Sequence, residues 1–245
     1  MAGTRRAVTG GPVSLETVRA AAGRIAEGVR RTPVLKAAAM REPPCSGQLF
    51  LKLECLQVTG SFKPRGALNK ALGLKAPSGL TTASGGNHGL GVAYAASVLG
   101  IPATVFLPTS TPEAKAQKLR GWGATVEVTG SVFDEANEAA LAYAQAGDAV
   151  YVHPFADPAV VSGQGTLGLE LLEDVCGVDT VLVAVGGGGL IAGVATALKA
   201  VKPSIRVIGV EPVGAPRHPD SRAAGGRVSR ERSVTQAGTR APRPA

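Results

Sequence analysis

The sequence predicts an α/β fold built on parallel sheets covered by helices, and three features carry that reading. Beyond residue 79, short apolar runs alternate with longer stretches of helical period, the pattern of strands joined through crossover helices. Several runs, among them Thr180-Val181-Leu182-Val183-Ala184-Val185, are apolar throughout, as strands are when both sheet faces are buried. The chain is 44% hydrophobic but only 4% aromatic, so its core must rest on Ala, Val, Leu and Ile.

Taken in order, Leu15, Val18, Ala22, Ile25 and Val29 recur at spacings of three and four, with Ser14 as N-cap, and predict an amphipathic helix that Pro33 ends. Leu49-Phe50-Leu51-Lys52-Leu53 reads as a strand leading to a short turn at Gly60-Ser61-Phe62-Lys63-Pro64-Arg65-Gly66. Strands then follow near 80–83, 103–107, 124–128, 149–152, 180–185 and 205–210. Helices near 88–99, 112–120, 132–146, 163–175 and 190–200 separate them, with right-handed crossovers. Beyond Pro216 the periodicity stops in a segment rich in Arg, Ser, Gly, Ala and Pro, which is expected to be disordered.

A length of 245 residues suits one large domain or two small ones. No apolar run approaches the roughly 20 residues that span a bilayer, and no apolar signal core follows the start, so a cytoplasmic protein without a membrane partner is expected. Cys45, Cys55 and Cys176 show neither CxxC spacing nor nearby histidines, which argues against a disulfide framework or zinc site; they are expected to be reduced and buried or incidental. The net charge of +8 is concentrated at one end: from Arg217 onward seven arginines stand against Asp220 and Glu231, leaving +3 for the body. Without interleaved aromatics or a known motif, that tail does not argue for nucleic acid.

Three glycine-bearing loops lie where strands meet helices, the place where open α/β sheets bind ligands. The first presents Lys63 between Phe62 and Pro64; desolvated there, its amine would lose its proton more readily, as Schiff-base chemistry requires. The second, Ser84-Gly85-Gly86-Asn87-His88-Gly89, opens a helix with free N–H groups, a hydroxyl and an amide, a cradle for a carboxylate. The third, Gly186-Gly187-Gly188-Gly189, follows a strongly apolar strand and could wrap a phosphate at a helix N-terminus. Read alone, Gly187-x-Gly189-x-x-Ala192 with Glu211 also fits a dinucleotide fingerprint and leaves an NAD-binding oxidoreductase fragment open. Such fingerprints usually open the first βαβ unit, whereas this one comes late.

The three loops in this order resemble the fold-type II pyridoxal phosphate enzymes, most closely the serine/threonine dehydratases. The likeness spans about residues 14–216 and includes Arg31-Thr32-Pro33-Val34, His153-Pro154-Phe155-Ala156-Asp157-Pro158, Gly163-Gln164-Gly165-Thr166 and Val210-Glu211-Pro212. It implies two open parallel-sheet domains of the tryptophan synthase beta-like kind. Residues 1–78 and 154–216 would form the large domain, 79–153 a small mobile one and 217–245 a basic tail.

The resemblance makes Lys63 the catalytic residue, holding pyridoxal 5'-phosphate as a Schiff base and removing the Cα proton. Phe62 would pack on the pyridine ring, Asn87 would bond its hydroxyl, and Gly186, Gly187, Gly188, Gly189 and Leu190 would bind the phosphate. Ser84, Gly85, Asn87 and His88 would surround the carboxylate of a small amino-acid substrate. The implied reaction is β-elimination of L-threonine or L-serine to a 2-oxo acid and ammonia, with a homodimer as the family's usual assembly.

Some positions depart from the pattern. Gly85 replaces the second serine of the serine racemases, which disfavours racemisation. Arg217 stands where metal-activated relatives carry an acid, so no metal is expected. Leu90 replaces a frequent Gln. The family-like text stops at Gly214-Ala215-Pro216, short of the residue that faces the pyridine nitrogen, and the residues after it read like a GC-rich gene in a shifted frame. If so, the other two reading frames should contain dehydratase-like text. A catalytically impaired remnant is therefore a further reading beside the active enzyme.

Overall fold

The computed structural model describes residues 11–37, 47–147 and 149–211. Helix α1 runs from Leu15 to Ile25, its N-terminus held by a capping box in which Ser14 Oγ accepts from Thr17 N and Thr17 Oγ1 accepts from Ser14 N. It buries Val18, Ala21 and Ile25 and stops there, short of the predicted Val29, because the chain turns so that Arg30 N can donate to Gln57 Oε1. Strands β1 (Val34–Lys36) and β2 (Phe50–Lys52) pair antiparallel, a hairpin-like element of which only the second strand was expected.

Helix α2, Lys63–Leu72, is the main departure near the site, where a short turn was predicted. Pro64 suits the first turn because it lacks only an N–H that a helix start leaves unpaired. Lys63 is therefore the first residue of a helix whose next six residues are all buried.

A four-stranded parallel sheet follows, in the order β5-β4-β3-β6, built from β3 (Leu80–Ala83), β4 (Ala103–Leu107), β5 (Thr125–Val128) and β6 (Val150–Tyr151). Helix α3 (Asn87–Leu99) ends at Gly100, whose φ of 66° closes the helix in the left-handed region that glycine adopts without strain. Helices α4 (Glu113–Arg120) and α5 (Phe133–Gln145) complete this unit. Strand alternation sends Leu80, Val105 and Leu107 to a core with Val92 and Leu119, while Ala83 and Phe106 pack with Ala136 and Ala140 of α5. Both faces of β3 and β4 are thus covered.

Helix α6 begins at Pro158, five residues before the predicted start, because Asp157 Oδ1 accepts from Ala159 N and Val160 N. Strands β7 (Thr180–Ala184) and β8 (Arg206–Val210) form a second, two-stranded parallel sheet, with α7 (Gly189–Val201) between them. Here the expectation of a strand buried on both faces fails. Val181 and Val183 are buried, but Leu182 is 64% exposed, and Ile208 and Val210 on β8 are exposed too.

Glycines let α2, α3 and α6 approach closely enough to hold Lys63. A Cβ at Gly163 of α6 would stand 2.4 Å from the Arg65 carbonyl oxygen, and one at Gly91 of α3 would stand 3.0 Å from the Lys63 carbonyl carbon. Cys55 and Cys176 are free and exposed rather than buried, while Cys45 and the predicted tail beyond residue 216 lie outside the described residues. Among the described residues no helix is long and apolar enough to cross a membrane.

Candidate active site

The site is organised by the start of α2. Arg65, with no exposed surface, joins it to two distant elements through a bidentate pair with each of two carboxylates. Its Nε and Nη2 donate to Glu54 Oε2 and Oε1 at 2.8 and 2.7 Å, and its Nη1 and Nη2 donate to Glu170 Oε1 and Oε2 at 2.6 and 3.0 Å. Thr166 Oγ1 and the Arg30 carbonyl accept the remaining bonds. Lys52 adds a second cation, 2.6 Å from Glu170 and 2.9 Å from Asp174. The turn after β2, helix α2 and helix α6 are thereby fixed relative to one another just beyond Lys63.

Lys63 points into a cavity of about 250 Å³. Its Nζ donates to the Pro154 carbonyl at 2.7 Å and lies 5.2 Å from the centre of the Phe62 ring. Burial without a carboxylate partner lowers its pKa from the ordinary 10.5 to about 8. At pH 7 about a tenth of such amines are neutral, roughly 300-fold more than at the ordinary value.

The opposite wall is the third glycine loop. Gly186, Gly187, Gly188, Gly189 and Leu190 line the same cavity as Phe62 and Lys63, together with Pro154, Phe155, Gln164, Ala184 and Val185. Gly188 precedes α7 with a φ of 87°, and no side chain caps the helix, so the N–H groups of its first turn are directed to the cavity end. Two of its positions have no room for a side chain: a Cβ at Gly187 would stand 2.2 Å from the Phe155 ring, and one at Gly189 would stand 2.7 Å from the Phe155 carbonyl. His153 sets that neighbour in place, its Nδ1 accepting from Phe155 N and Ala156 N at 3.2 and 2.9 Å.

A half-buried amine of lowered pKa facing a side-chain-free helix N-terminus suits a molecule carrying both an aldehyde and a phosphate, so these residues fit pyridoxal phosphate. A dinucleotide reading of the loop accounts for neither Phe62 nor Lys63 on the facing wall.

The second loop lies beside this cavity rather than in its lining. Ser84 Oγ accepts from Gly86 N at 3.3 Å, and Asn87, exposed, is the first residue of α3. The backbone is compact, since a Cβ at Gly89 would stand 1.9 Å from the Ser84 carbonyl oxygen. The side chain of His88 turns inward. The ring is buried, with Nε2 2.9 Å from the Val152 carbonyl, and burial, then the charge of Lys63, lowers its pKa to about 3. A neutral inward imidazole offers no charge to a carboxylate.

Pro154, Phe155 and Gln164 are cavity residues to which no role was assigned from the sequence. The available signal was the run from His153 into Gly163-Gln164-Gly165-Thr166, which marks the entry to α6 without showing which of its side chains turn inward.

Residues 25–244 match the family described as pyridoxal-phosphate dependent enzyme. The L-threonine ammonia-lyase of Thermotoga maritima is 46% identical over 202 residues, covering 81% of this chain and 50% of that protein. The L-threonine dehydratase catabolic TdcB of Staphylococcus aureus is also 46% identical over 202 residues, which make up 81% of this chain and 58% of the relative. The chain therefore spans about half the length of the curated relatives it matches. Among solved structures, the threonine deaminase of T.th. superposes with a TM-score of 0.83 at 45% identity, over 89% of this chain and 71% of that one. Maize serine racemase gives the same TM-score at 37% identity, over 89% and 67% respectively.

Proposed function

The chain belongs to the pyridoxal-phosphate dependent enzymes, and from that premise we propose that it carries the site for β-elimination of L-threonine or L-serine to a 2-oxo acid and ammonia. The observation that carries the proposal is the pairing, within one cavity, of Lys63 with the loop of Gly186, Gly187, Gly188 and Gly189. The names of the relatives supply the reaction class, since both curated relatives and the threonine deaminase act on threonine by name.

When bound, pyridoxal phosphate supplies an electron sink for the bond broken at Cα. Lys63 anchors the cofactor, and Phe62 packs against its ring. Gly186 to Gly189, with Leu190, hold its phosphate through backbone N–H groups, and Asn87 bonds its ring hydroxyl. Ser84, Gly85, Asn87 and the backbone of His88 take the substrate carboxylate, which fixes Cα near Lys63. The ε-amine, whose lowered pKa of about 8 leaves a larger neutral fraction at physiological pH than an ordinary lysine has, takes the Cα proton as general base. The β-hydroxyl then leaves as water, taking up a proton equivalent to the one removed from Cα, and the released enamine tautomerises and is hydrolysed to the 2-oxo acid and ammonia.

In this reading residues 79–153 form the smaller domain, which closes over a larger one built from 1–78 and 154–216. The enzyme works as a homodimer in the cytoplasm, a setting that the free Cys55 and Cys176 suit.

The test is a spectrum and an ammonia assay. Pyridoxal phosphate added to the full chain should give an absorbance band at the violet edge of the visible, absent in Lys63→Ala. Ammonia should be released from L-threonine or L-serine. No band in the wild-type chain rejects the reading, and a band without ammonia from either amino acid rejects the reaction while leaving the cofactor site.

A further inference from the structure

Gln164 lies in the second turn of α6, is 1% exposed, and lines the same cavity as Lys63 and the glycine loop. Neither its Nε2 nor its Oε1 has a hydrogen-bond partner. Buried amides are almost always satisfied, so an orphaned one in a ligand cavity needs an explanation. The side chain cannot be read as a stray conformer, because it is wedged against α2: a Cβ at Gly66 would stand 2.4 Å from its Nε2. Its neighbour Thr166, by contrast, is fully engaged, accepting from Arg65 and donating to the Gly163 carbonyl. Thr166 and Glu170 of α6 are thus paired within the fold, whereas the amide of Gln164, which lies against Gly66 and belongs to a residue lining the cavity, is not.

We propose that Gln164 is a cofactor-binding residue whose Nε2 donates to an oxygen of pyridoxal phosphate. This rests on the function proposed above. The phosphate and ring oxygens of that molecule are acceptors and carry its negative charge, so the donor end of the amide is the one they would engage. A carboxamide fits this place better than a cation, since it adds a donor without supplying Lys63 with a second positive charge nearby.

The assay is a titration of the cofactor-free full chain with pyridoxal phosphate, combined with thermal unfolding of the cofactor-free protein, for wild type, Gln164→Met and Gln164→Glu. Met keeps the length of the side chain and removes its polar atoms. Loss of a hydrogen bond to a charged acceptor should raise the Kd about 10-fold or more in Gln164→Met. Gln164→Glu, which presents an acceptor to an anion, should bind more weakly still. The cofactor-free midpoint of Gln164→Met should equal or exceed that of wild type, because an apolar group replaces an unsatisfied one. An unchanged Kd in Gln164→Met overturns the assignment. So does a cofactor-free Gln164→Met less stable than wild type, which would make the amide a structural group. If wild type itself binds no pyridoxal phosphate, the functional reading falls first and this inference with it.

Discussion

Replacing Lys63 by Met in the cofactor-free protein should stabilise it at neutral pH and remove a pH dependence at alkaline pH. Among the described residues the amine donates to the Pro154 carbonyl, and no carboxylate offsets its burial. Its pKa near 8 in the folded chain, against 10.5 unfolded, corresponds to about 3 kcal/mol of cost at about 1.4 kcal/mol per pH unit. The folded amine has shed its proton by pH 8, whereas the unfolded one keeps it up to 10.5. The unfolded state therefore binds more protons across that window, and stability rises with pH through it. Below pH 8 the full cost is present. Met removes that cost but leaves the Pro154 carbonyl without its donor, a loss of about 1 kcal/mol. Urea unfolding at pH 7 should show Lys63→Met more stable than wild type by about 2 kcal/mol, with the advantage gone by pH 10.5. Equal pH dependence in the two proteins, or a less stable variant at pH 7, would refute the argument that burial sets the amine's pKa.

Two further outcomes rest on named contacts. Gly189→Ala should destabilise the fold by about 1–3 kcal/mol, as overpacking does, because its Cβ meets the Phe155 carbonyl and Cα at 2.7 and 2.9 Å, atoms that cannot turn aside; a denaturant midpoint checks this, and pyridoxal phosphate binding should weaken in parallel. Arg65→Met should cost about 3–5 kcal/mol by leaving buried carboxylates without their cation, and the double variant Arg65→Met/Glu54→Gln should recover part of the loss, since Glu54 then needs no counter-charge.

Local chemistry marked most of the elements. Strands such as Ala103–Leu107 and helices such as Phe133–Gln145 fall within a residue or so of where apolar period and glycine punctuation place them, because those signals act over a few neighbouring residues. The same holds for the three glycine loops, whose order along the chain was enough to suggest a lysine, a carboxylate cradle and a phosphate cradle. Helix α2 was not legible, since Gly60, Pro64 and Gly66 read as turn residues. The helix exists because Pro64 is tolerated in its first turn and because Gly66 meets α6 at a crossing that leaves no room for a Cβ.

By itself, then, the sequence determined the α/β class, most of the succession of elements and the positions of the three glycine loops. Only the tertiary structure decided what those residues are chemically. The Lys63 amine loses its proton more readily because the surrounding chain partly shields it from water, and His88 is turned inward to Val152, 64 residues away, rather than toward the loop surface. Arg65 is a buried joint because Glu54 and Glu170, 11 and 105 positions distant, converge on it. Leu182, apolar by sequence, is left exposed because coverage of a sheet face depends on what packs above it. Burial, charge pairing and proton affinity are set by groups far apart in the chain, and no window of neighbouring residues contains them.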